Sequence, residues 1–162
     1  MALITCSSIR AQEQVDVTFG RKIGEKVDSG LSAIAYGPER RPFRKADFKP
    51  TTPYPYLTKY QLRVTPVTHL VFEIYAHGDF PSESAIAEFV KILEAKYGRL
   101  TFPPFEEDWP LQIATLMIDE RELTVMIGNK KTVFVTYQDL SVYLRDQKKR
   151  KVTGPASAGK GR

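Results

Sequence analysis

Cysteine is almost absent from this chain: Cys6 stands alone among 162 residues, beside two histidines and one tryptophan. A single thiol closes no intramolecular disulfide, and with only His69 and His77 as further soft ligands it builds no cysteine zinc site. No run approaches the roughly 18 apolar residues that a membrane-crossing helix needs. The expectations are a fold held by packing, with no helical membrane span, metal or cofactor.

Other chemistry is excluded by spacing. Gly20 and Gly24 are one residue too close for a phosphate loop, and Glu25 stands where that loop needs a lysine. Glu106, Glu107 and Asp108 adjoin one another without the glycine and alternating spacing of a calcium loop. His69 and His77 fall on one strand pattern, which sets them roughly 26 Å apart if it runs unbroken. His77 with Asp79 is the remaining candidate acid–base pair, and no nucleophile element accompanies it.

Charge is unevenly distributed. Seven of the 24 basic residues but only one of the 19 acids, Asp146, lie from Arg145 onward, leaving 17 and 18 before them. The body is near neutral and the end is basic, so the net charge of +5 describes the tail and not a folded surface.

What is present organises around Tyr60 to Gly98. Tyr60, Leu62 and Val64 alternate with Gln61, Arg63 and Thr65, a half-buried strand, and Leu70, Phe72, Ile74 and Ala76 continue the same period in a second strand from His69 to Ala76. Ser82 then caps a helix whose Ile86, Phe89, Val90, Leu93 and Tyr97 form one apolar stripe ending at Gly98. Three further strands, Leu111 to Ile118, Glu122 to Ile127 and Thr132 to Tyr137, are joined by connections of hairpin length and predict an antiparallel meander. Asp139 caps a terminal helix bearing Leu140, Tyr143 and Leu144. Upstream, Val15, Val17 and Phe19 alternate as a short strand, Leu31 to Tyr36 is another candidate, and five prolines make Pro38 to Tyr56 a long ordered loop or edge segment.

The expected fold is a single α+β domain over residues 14–146: an antiparallel sheet of five to seven strands, one main helix on one face and a short C-terminal helix. Residues 1–13 are expected to be a flexible N-terminus, with the remnant of a signal peptide as the other reading, and 147–162 a disordered basic tail.

Two surfaces offer partners. Phe48, Tyr54 and Tyr56 on one proline-rich loop, with Phe102, Phe105 and Trp109 on another, are candidates to anchor a protein. Arg40, Arg41, Arg44 and Lys45, interleaved with Phe43 and Phe48, combine with Lys148, Lys149, Arg150 and Lys151 as candidates for phosphate or nucleic acid.

The order of a strand, a helix ending Lys96-Tyr97-Gly98, a loop holding Trp109, a hairpin and the run Val133-Phe134-Val135-Thr136-Tyr137-Gln138-Asp139-Leu140 resembles a pattern in small exported proteins of Gram-negative bacteria. It spans roughly Tyr60 to Leu144 and implies a fold type and a periplasmic location, without catalytic residues to carry over. The cysteine often found there after the paired strands has no counterpart here. The functional expectation is a non-enzymatic protein-binding or accessory module, of which inhibitor and immunity proteins are one type; the alternative is a nucleic-acid or phosphate binder.

Overall fold

The computed structural model describes residues 16–106 and 108–153; Cys6, Val15 and residues 154–162 lie outside them. Seven strands, β1 (Ala35–Tyr36), β2 (Pro42–Asp47), β3 (Lys59–Val64), β4 (Val71–Asp79), β5 (Leu111–Ile118), β6 (Arg121–Gly128) and β7 (Thr132–Gln138), are joined by two helices, α1 (Glu83–Tyr97) and α2 (Leu140–Thr153). All pairings are antiparallel, in the order β1-β2-β3-β4-β7-β6-β5. This is the expected α+β sheet with its main helix on one face. Among the described residues no helix is long and apolar enough to cross a membrane.

The capping signals of α1 are realised. The Ser82 hydroxyl accepts the Ala85 amide at 3.1 Å, and Gly98, at φ +118°, ends the helix with its amide donating to the Glu94 carbonyl. Ile86, Phe89 and Leu93 are buried against Leu62, Val64, Ile74, Ala76, Val133, Val135, Leu123 and Val125 in one core. Each full side-chain burial there stabilises by about 1.5–3 kcal/mol. Gly78 lets the β2–β3 loop cross β4, since a Cβ there would stand 1.9 Å from the Tyr56 carbonyl oxygen.

The alternation in β4 is interrupted. Arg63 pairs with Glu73 but Val64 pairs with Val71, so Phe72 is an extra residue, a β-bulge. Ile74 and Ala76 stay on the α1 face, while Phe72 enters a second cluster with Phe43, Val142 and Tyr143, which docks α2 at one end of the opposite face.

Four expectations are corrected. Val17 and Phe19 belong to a turn and not a strand: the Asp16 carboxylate accepts both the amide and the hydroxyl of Thr18, and Phe19 takes φ 49°. Part of the segment read as a loop is strand β2, whose prolines fall at its first residue or outside it. His69, at φ 56°, sits in the turn before β4, so the two histidines do not share a strand. The basic cluster Lys148 to Lys151 is helical, because α2 continues to Thr153.

The Asp146 carboxylate anchors this helix. Counted in the sequence as the lone acid of a basic tail, it is 1% exposed. It accepts the Thr68 hydroxyl at 2.6 Å, the Thr68 amide at 2.7 Å and the Val67 amide at 3.4 Å, tying α2 to the β3–β4 turn. Removing it leaves two partly buried amides and a hydroxyl without their acceptor. Asp146→Ala is therefore expected to cost about 2–3 kcal/mol in denaturant unfolding, and Thr68→Val, which removes only the hydroxyl, less.

Candidate functional site

The two edges of the sheet differ. One ends in β1, two residues long. The other is β5, Leu-Gln-Ile-Ala-Thr-Leu-Met-Ile, with neither a charge nor a proline. Edges of such length are normally blunted by lysine, proline or a covering segment, since their free N–H and C=O groups template pairing with another chain. Around β5 the nearby hydrogen bonds are Asn129 amide to Pro110 carbonyl, Trp109 amide to Glu106 carbonyl, and Gln112 Nε2 to Pro103 carbonyl at 2.7 Å. Among the described residues none reaches the free backbone side of β5.

Exposed apolar side chains stand toward both ends of this strand. Met117 is 60% exposed, Trp109 55% and Phe105 49%. The last two lie on the proline-rich loop leading into β5, where Glu106 and Trp109 close a tight turn.

The strand registers arrange the open face, opposite α1, in straight rows. Lys59, His77, Phe134, Met126 and Ile113 lie side by side, then Gln61, Tyr75, Thr136, Thr124 and Thr115, then Arg63, Glu73, Gln138, Glu122 and Met117. The first row is apolar in its centre, with His77 between Tyr75 and Phe134 at ring distances of 5.4 and 5.5 Å. The second is largely threonine. The third is charged or amide until it reaches Met117.

The sequence-predicted anchors separate. Phe48 stacks edge-on against Tyr60 at 5.9 Å beneath the Arg21 guanidinium. Tyr54 packs on Phe80 and Phe89, and its amide donates to the Tyr60 hydroxyl. These two rings and Phe102 pack against the core. Tyr56, Phe105 and Trp109 are exposed. The loops carrying the two groups lie at the same end of the sheet, but β3 and β5 are four strand spacings apart, about 19 Å.

The basic candidates converge in part. Arg41 pairs with Glu39, the Arg44 guanidinium donates to the Ser32 carbonyl at 3.0 Å, and Lys45 lies over Phe43; Arg40 occupies the adjoining 3-10 turn. Lys148, Lys149, Arg150 and Lys151 are exposed on α2. Burial raises the Tyr143 phenol, with the Arg41 and Arg150 charges opposing and the Asp146 charge adding to the rise.

A cavity of about 230 Å³ between the open face and α2 was not foreseen. It is lined by Arg41, Phe43, Arg63, Glu73, Gln138 and Tyr143, among others. Glu73 is 4% exposed, and Arg63 Nη1 meets both its carboxylate oxygens, at 3.1 and 3.2 Å. The opposite charges at Arg63 and Glu73 on strands already expected to pair were the available signal. As for the candidate acid–base pair, burial and the Lys59 charge lower the His77 imidazole, Asp79 opposing, while Asp79 itself accepts the Thr132 hydroxyl at 2.6 Å.

No family model, curated protein or solved structure matches this chain. The functional reading therefore rests on the residues themselves.

Glu73 carries a pH signature. Burial raises its carboxyl above the ordinary glutamate range, with the Arg63 charge and hydrogen bond opposing and the Glu122 charge adding to the rise. A raised acid is bound more tightly by protons in the folded state, so its stabilising contribution is full at low pH and is lost as pH rises through the folded value. The unfolding free energy of wild type relative to Glu73→Gln is expected to fall across that window and then level off. A flat difference from pH 4 to 8, measured by urea unfolding, would contradict the assignment.

Proposed function

We propose that this chain is a non-enzymatic protein-binding module that accepts a strand of another polypeptide along β5, with Trp109 and Phe105 as apolar anchors beside it. The observation that carries this reading is an uncharged, eight-residue edge strand flanked by the exposed rings of Phe105 and Trp109 and the exposed side chain of Met117. Strand addition draws affinity from main-chain hydrogen bonds and specificity from alternate side chains, and aromatic anchors buried by the partner contribute most per residue. Such a surface suits an accessory protein of the inhibitor or immunity type, whose work is to cover a partner. The resemblance in element order to exported Gram-negative proteins supports a periplasmic setting.

A second reading, binding of nucleic acid or phosphate, is favoured by one observation: Arg41 lines the same cavity as Tyr143 of α2, so the Arg40 to Lys45 cluster adjoins the helix whose basic end is exposed. Its affinity would fall steeply with salt.

The test is retention from a Gram-negative extract on immobilised full-length protein at low and at moderate salt, with Met117→Lys and Trp109→Ala as variants. A polypeptide held in stoichiometric amount at both salt concentrations, and reduced at least tenfold by either substitution, is the expected result. Nucleic acid retained only at low salt, and unaffected by either substitution, would replace strand addition with the second reading.

A further inference from the structure

We infer that the strand accepted by β5 is the β5 of a second copy of this chain, paired antiparallel about a two-fold axis through Thr115; this rests on the strand-addition reading above. A two-fold perpendicular to the sheet keeps each face on its own side, so only residues of the same face can oppose one another. Centring the axis on Thr115 sets Ile113 against Met117 on the open face, twice, with Thr115 against Thr115 between them. On the α1 face it sets Ala114 against Leu116 and Gln112 against Ile118. No charged residue lies within β5, so no charges oppose one another along the paired strands.

The rows on the open face select this register. Within one copy Met117 is misplaced: it ends the row of Arg63, Glu73, Gln138 and Glu122, and is 60% exposed. Across the two-fold it meets Ile113 of the second copy, the outer end of the apolar row that continues through Met126 and Phe134 to His77. The threonine rows of the two copies, each ending in Thr115, meet end to end at the axis. Centring on Ala114 instead would oppose Ile113 with Thr115 and leave this match unmade. The same operation brings the Phe105 to Trp109 loop of each copy to the far end of the other's β5, beside its Asp119–Glu120 turn. Two seven-stranded sheets then continue as one sheet of fourteen strands. The opposite edge cannot do this, because β1 offers only two residues.

Sedimentation velocity of the full chain over a concentration series tests the pairing, with circular dichroism and thermal unfolding as controls on folding. Wild type is expected at twice the chain mass of 18.4 kDa. Met117→Glu and Ile113→Lys should each weaken association at least tenfold, because each puts a lone charge against an apolar side chain of the other copy. Combining the two substitutions sets the new cation of one copy opposite the new anion of the other, twice, and should restore the dimer, a result that a merely misfolded single variant would not give and that another register would not predict. Wild type that stays monomeric into the millimolar range overturns the inference. If Met117→Lys still abolishes retention of a different polypeptide in that case, strand addition stands without self-pairing. A wild-type dimer unmoved by either single substitution forms elsewhere and also overturns it.

Discussion

The extra residue at Phe72 determines how the two faces of this sheet are used. A regular strand from Val71 to Asp79 would keep Phe72 on the α1 face with Ile74 and Ala76, and the opposite face would lack this ring where α2 must dock. Inserting one residue against the Arg63–Val64 step keeps Ile74 and Ala76 beneath α1, while Phe72 turns to Phe43, Val142 and Tyr143. The Phe72 carbonyl also accepts the Asp139 amide at 2.8 Å, at the residue whose carboxylate caps α2 through Ser141. The bulge thus fixes where α2 begins, and Asp146 fixes its course.

Much of this fold was legible because its signals are local. Ser82 and Gly98 mark the ends of α1 by chemistry that acts over three or four residues, and the period of two in β3, β6 and β7 needs only neighbouring residues to be seen. What was not legible depends on partners distant in sequence. The bulge can be recognised only from the pairing of β3 with β4, although the apolar Val71 on the wrong parity was its trace. In the N-terminal segment the alternation of Val17 and Phe19 does report burial, since both are 1% exposed, but a local Asp16 turn produces it. Asp146 looked like a stray acid in a basic tail because its hydrogen-bond donors lie some eighty residues away.

The candidate site shows the same division. The hairpin-length connections gave β5 as a strand; that it is an edge follows only from the order of strands, which places β7 beside β4 and sends β6 and β5 outward. Trp109 and Phe105 were visible as aromatics on a rigid loop, whereas Phe48 and Tyr54, of similar composition and setting, turn inward because Tyr60, Phe80 and Phe89 receive them. Nothing within five or six residues of either loop distinguishes the two outcomes. In the sequence Arg63 and Glu73 look like the solvent-facing side chains of alternating strands; α2 closes the cavity over them.

The strand order has a kinetic consequence. β3 with β4 is a hairpin, and β5, β6 and β7 are successive neighbours, so both groups assemble from contacts close in sequence. One seam joins them: β4 against β7, from Glu73 opposite Gln138 to Asp79 opposite Thr132. The chain between these strands includes α1 and the whole of β5 and β6, and closing it costs configurational entropy before any pairing returns it. The slow event in reaching this structure therefore belongs to a single line of hydrogen bonds at the centre of the sheet, and until it closes both halves expose an unpaired central strand.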